Sequence, residues 1–215
     1  MILLLPLILC APVFWGLKEN VRQELYQSRE AALWQFSQVF EQRLGDVKNL
    51  AFQISLLSEL NAIKRSGATI TAESIYSYYL LQQQLEEKRT VQSFVQQIYF
   101  YVSRSDILLS GRYLYHTGEI SQARDSTETL LLRDYVRRLD EYPVPTFLVD
   151  TRSNRYGMAF TYLLYIYPIS TGASSNSGDA IFILINTQEL QSILTSSLYD
   201  RGGVSILPTK TRPYR

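Results

Sequence analysis

Residues 18–64 read KENVRQELYQSREAALWQFSQVFEQRLGDVKNLAFQISLLSELNAIK. No proline interrupts this stretch, and Gly45 is its single glycine. Apolar side chains recur in steps of three and four at Leu33, Phe36, Phe40, Leu44, Val47, Ala51 and Ile54. That spacing draws one stripe along a helix, and Glu30, Gln38, Glu41, Arg43, Asp46 and Lys48 fall mostly off it. At about 1.5 Å per residue the helix would run roughly 70 Å. A helix of that length cannot bury its stripe on itself, so a later part of the chain must cover it.

Upstream lies MILLLPLILCAPVFWGL, residues 1–17, with no charged side chain. Its length sits at the short end for a membrane span. Pro6 and Pro12 are tolerated in spans, and Trp15 falls where an interfacial aromatic belongs. The expectation is a transmembrane anchor over residues 1–17 that continues into a stalk helix over residues 18–65. A cleaved signal peptide is the alternative. No small-x-small cleavage site follows the run, and Leu7, Ile8 and Leu9 lack the small residue that a lipoprotein site needs before Cys10. No Lys or Arg precedes the run while Lys18 and Arg22 follow it, so charge bias does not place the N-terminus in the cytoplasm. A basic leader ahead of Met1 would reconcile the two.

The 215 residues suffice for one sizeable core plus appendages. A net charge of +1 points away from nucleic acid. The single cysteine, Cys10, excludes an intrachain disulfide and a thiolate metal site. Eleven of the sixteen tyrosines cluster at residues 76–79, 99–115 and 156–167, where an apolar body with one polar tip suits half-buried strands or ligand pockets.

Beyond the small-residue break at 66–69, Thr71 can cap a second helix carrying Ile75, Tyr79 and Leu85 to about residue 90. The period then becomes strand-like. Ile98, Phe100 and Val102 alternate with Tyr99 and Tyr101, and residues 107–109 form a short second strand. Residues 111–126 read as a loop and 127–139 as a helix ended by Pro143 and Pro145. Strands follow at 146–149, 158–167 and 180–185, the last two apolar on both sides. Asn186 and Glu189 have capping-box spacing and open a helix through Leu198, and residues 204–207 start one more strand. The fold class is α+β, with a long helix on a five-stranded antiparallel sheet.

The pieces LLLPLIL, QFSQVFEQRLGDVKNLAFQISLL, IYFYVSRSDILLSG and GDAIFILINTQELQSIL with GGVSIL resemble the extracytoplasmic sensor region of double Cache receptors. The likeness is to Bacillus-type transmembrane AraC-family regulators and related sensor histidine kinases. It implies a PAS-like (Cache) lobe over residues 66–200, with the long helix on one sheet face and a pocket on the other. It also implies that residues 201–215 begin a second, membrane-proximal lobe. The end, PTKTRPYR, does not match that continuation, and the chain is expected to be a fragment.

Catalytic and metal signatures are missing: there is one histidine, His116, and no metal-spaced His pair, nucleophile elbow or P-loop. Neither an enzyme nor a bound cofactor is expected. Candidate ligand-binding residues are Tyr99 and Tyr101 on one face of the first strand, Tyr165 on the fourth, and Arg112, Tyr113, Tyr115 and His116 in the crossing loop. An arginine fork is the natural clamp for a carboxylate. The alternative is that the tyrosines fill core and Arg112 is surface. Carboxylate-binding Cache lobes carry an arginine–tryptophan pattern, but Trp15 and Trp34 lie elsewhere, which argues against an amino-acid ligand.

The expected role is a membrane-anchored sensing module outside the cytoplasm, feeding an AraC-type output or a histidine kinase. Its expected partners are the membrane, a small extracellular ligand or partner protein, and a second copy through the long helix, with no nucleic acid. The rival is an anchored structural protein without a small ligand.

Overall fold

The computed structural model describes residues 4–66, 72–120, 126–154, 156–169 and 178–199. The chain divides into two compact units, Met1–Gln42 with Leu190–Arg215, and Arg43–Glu189. Helix α1, Leu4–Ser55, contributes to both.

In the first unit, Phe36 stacks on Phe40 with ring centres 5.8 Å apart. Leu33 and Trp34 are 56% and 65% exposed, so the expected stripe is uncovered at its start. The expected anchor over residues 1–17 is helical from Leu4, and its side chains lie outside the described residues. Among the described residues, no helix is long and apolar enough to cross a membrane.

The second unit holds the core. Here the α1 stripe is sealed: Val47, Leu50, Ala51 and Ile54 are all buried. The helix was expected to run on through residue 65, but it breaks at Leu56 and Leu57 and restarts as α2, Ser58–Ser66. Helical residues advance by about 100°, so in an unbroken helix Ile63 would point directly away from Ile54. The turn, closed by Leu56 N–H to Gln53 O and Leu57 N–H to Ile54 O, re-aims the next apolar pair. Leu60 and Ile63 are now fully buried. Helix α3, Ala72–Val91, buries Tyr78, Leu81 and Leu85 and leaves the expected Ile75 and Tyr79 exposed. Thr71, its expected cap, lies outside the described residues, as does the expected strand at 204–207.

Six strands form one sheet: β1 Val95–Val102, β2 Ile107–Ser110, β3 Leu114–His116, β4 Thr146–Ser153, β5 Ala159–Ile169 and β6 Asp179–Ile185. Their order is β3-β2-β1-β6-β5-β4, every neighbouring pair antiparallel. The five strands expected become six because β3 forms inside the stretch read as loop. Three residues are too few to show an alternating pattern. The hairpin into β3 is closed by Ser110, whose Oγ accepts from Tyr113 N–H at 3.0 Å and whose N–H donates to Tyr113 O at 2.8 Å.

Helix α4, Thr127–Arg137, is capped by Ser126, whose Oγ accepts from Thr129 N–H. It covers one sheet face. Tyr99, Tyr101, Leu108, Leu164, Ile166, Phe182 and Leu184 pack there with Leu131, Leu132, Tyr135 and Val136. Ile98, Phe100, Leu109, Ile181 and Ile183, on the other face, are buried as well. That side meets the earlier helices: Tyr78 OH is hydrogen-bonded to Ser105 Oγ, Arg104 Nη1 donates to Lys64 O, and Lys48 Nζ stands 5.8 Å from the Phe147 ring centre. Helix α5, Thr187–Tyr199, opens on Asn186, whose Oδ1 accepts from Gln188 and Glu189 N–H groups as the spacing predicts.

Candidate functional site

The α4 face is apolar at its centre and polar at its margins. At one margin the Ser126 cap fixes Glu128 in the first turn of α4, beside β1. Tyr99 OH donates to Glu128 Oε1 at 2.5 Å, and Gln96 Nε2 donates to Glu128 Oε2 at 3.3 Å. Burial pushes the Glu128 carboxyl above the usual carboxylate range, although both donors favour its charged form. Burial and the adjacent Glu128 hold the Tyr99 phenol well above its ordinary range, with smaller contributions from Tyr115 and Tyr162. Tyr162 is itself pushed up, first by burial and then by Glu128.

At a second margin, Asp106 Oδ1 accepts from Tyr101 OH at 3.1 Å and from Thr117 Oγ1. Asp106 itself adopts a left-handed backbone, φ 54°, which a short polar side chain tolerates. At the third margin, Tyr135 OH donates to Asp150 Oδ2 at 3.1 Å, and Arg152 bridges Asp150 and Asp134. Burial, then Asp150, pushes the Tyr135 phenol up to about 12. This network ties α4 to β4.

Of the residues expected from sequence, Tyr99, Tyr101 and Tyr115 share the α4 face. Tyr165 lies on the opposite face, buried, with Phe147 at 4.3 Å and Tyr167 at 6.5 Å between ring centres. His116 pairs with Ile107 in register and is half-buried on that same opposite side. Tyr113 is exposed, with its ring 5.9 Å from that of Tyr115. Arg112 sits in the β2–β3 turn and engages α3, donating through Nε and Nη2 to Glu86 Oε1 at 3.2 and 3.1 Å. The carboxylate clamp therefore finds its carboxylate within the chain. Glu128, Gln96 and Tyr162 were not singled out. The legible signals were the serine two residues before Glu128 and the alternation of Tyr162 with Leu164 and Ile166. Among the described residues, no group of three or more His, Cys, Asp or Glu stands close enough to hold a metal ion.

Arg89 first, and Arg112 after it, hold the Glu86 carboxyl down at about 2, against an ordinary value of 4.5. A depressed carboxylate contributes stability above its unfolded value and loses it as pH falls toward the folded one. Glu86→Gln is therefore expected to cost about 0.5–1 kcal/mol at neutral pH. The gap from wild type should close as pH falls from about 4.5 toward about 2. Urea unfolding of both proteins across that window checks it; a gap independent of pH would refute the assignment.

No known protein family and no curated protein matches this sequence. Solved structures do resemble it. The extracellular domain of a protein assigned as a histidine kinase matches with a TM-score of 0.51 and 12% identity, over 82% of this chain and 62% of that one. A domain of a sensory box/GGDEF family protein from Vibrio parahaemolyticus matches with a TM-score of 0.45 and 15% identity, over 82% and 62%. The sensory domain of a Campylobacter jejuni chemoreceptor, solved with isoleucine bound, gives 0.38 and 11%, over 74% and 65%. This chain thus spans about three-fifths of the first two structures. Strand order and the first likeness together give the chain the α+β fold of that extracellular domain, built on one antiparallel sheet.

Proposed function

We propose that this chain is the extracytoplasmic ligand-sensing input module of a membrane-anchored signal-transduction protein. The observation that carries the reading is the α4 face. A fully apolar interface would suffice to hold α4, yet Tyr99, Tyr115 and Tyr162 bring hydroxyl groups to it on the side of the half-buried Glu128, and Tyr101 brings one to Asp106. Polar groups placed at the edge of a packed interface are what a small-molecule site needs for orientation. The output is an AraC-type DNA-binding domain, with a histidine kinase as the second reading, which the fold likeness to a kinase extracellular domain favours. The module works by binding and catalyses nothing. Its other partners are the membrane, held through residues 1–17, and a second copy through α1. The response is bounded by the difference in ligand affinity between two states of the lobe.

Topology tests the reading. Reporters fused after residue 66 and after residue 199, expressed in a Gram-negative host, should give active alkaline phosphatase and dark green fluorescent protein. Fluorescent fusions without phosphatase activity would place the lobe inside the cytoplasm and overturn it.

A further inference from the structure

The hydrogen-bonding capacity left over on Glu128 itself is all of the accepting kind. Each carboxylate oxygen takes one described donor, Tyr99 OH or Gln96 Nε2, and keeps a second lone-pair direction. Tyr99, having given its proton to Glu128, offers only lone pairs to anything else. Gln96, with one hydrogen of Nε2 turned to the carboxylate, offers Oε1 and the other Nε2 hydrogen. Tyr162 stands against Glu128 from β5, and Tyr115 stands against Tyr99 from β3. Among the described residues, the arginine ion pairs of this unit go to Asp46, Glu86, Asp134, Glu141 and Asp150 and pass Glu128 by. The cluster is open on one side: Glu128 is half-buried, and Gln96 and Ser126 are exposed.

We propose that this cluster recognises the ammonium group of a small organic amine. The assignment rests on the lobe being a ligand-binding module and names the class of ligand. An ammonium carries three donors and no acceptor, the complement of the acceptors that Glu128, Tyr99 and Gln96 leave unsatisfied. It also supplies the positive charge that the carboxylate lacks among the described residues. A carboxylate ligand would bring like charge to Glu128. The half-buried rings of Tyr115 and Tyr162 give a short hydrocarbon tail an apolar surface.

Thermal unfolding of the full chain tests this with primary amines from methylamine to spermidine, each beside a carboxylate and an alcohol of matched size. Amines should raise the midpoint in a concentration-dependent way, and their matched carboxylates and alcohols should not. Glu128→Gln keeps the shape and an acceptor for Tyr99, and should weaken apparent amine affinity at least about tenfold. Amine affinity should rise with pH as Glu128, which burial pushes above the usual carboxylate range, gives up its proton. Of the tyrosines facing it, Tyr99 and Tyr162 are pushed above the ordinary phenol range and keep their protons as Glu128 titrates, and Tyr115 stands beyond Tyr99. Stabilisation by carboxylates instead would overturn the amine assignment and leave a ligand-binding lobe in place. Undiminished amine binding by the Gln variant would also overturn it. No response to any member of the set would remove both readings.

Discussion

Ile54→Asp is expected to destabilise the lobe by about 3–5 kcal/mol, enough to unfold a large share of molecules. Ile54 is fully buried near the end of α1. A carboxylate there is either buried unpaired or forces the helix off the sheet. Leu33→Asp, on the same helix, should cost less than about 0.5 kcal/mol, because Leu33 is 56% exposed. Urea unfolding followed by circular dichroism compares the two. Equal losses would mean that the stripe is covered along its whole length, or nowhere.

Gly111→Ala should cost about 1–3 kcal/mol through overpacking. A Cβ at residue 111 would lie 2.8 Å from Glu86 Cβ and 3.1 Å from Glu86 Cα. The second contact is with helix backbone, which cannot swing aside as a side chain does. The β2–β3 hairpin must lift from α3, and the Arg112–Glu86 pair stretches with it. Gly45→Ala is the matching control of opposite sign. It sits inside α1 with nothing within 4 Å of an added Cβ. Alanine there should stabilise by about 0.5–1 kcal/mol through helix propensity alone. Chemical denaturation of the two variants gives the sign directly; a stabilised Gly111→Ala would show that the hairpin does not press on α3.

Much of this architecture was legible in the sequence because it rests on periods. The 3.6 stripe found the buried end of α1, alternation found β1, and runs apolar on both sides found β5 and β6. The Asn186 cap was read from spacing alone. What escaped was set by tertiary geometry. The break at Leu56 and Leu57 follows from where the sheet requires Leu60 and Ile63 to point. β3 exists because Ser110 closes a hairpin against β2, and its own three residues carry no signal. The site divided for a similar reason. Tyr99 and Tyr165 both lie on alternating strands, but register between strands decides the face, and register across β6 is invisible before pairing. Arg112 looked like a ligand clamp because its partner Glu86, in α3, lies far away along the chain.

The central position of β6 sets the timetable of assembly. Until residues 179–185 leave the ribosome, the sheet exists only as two separate pieces, β1–β3 and β4–β5. Each piece presents a bare strand edge, and neither can close without the other. Nearly the whole lobe must therefore be synthesised before any of it commits to its native form, a slow route rich in distant pairings. A chain shortened just ahead of that strand would keep most of the sequence and lose the join, leaving two sticky half-sheets prone to pair with neighbouring chains.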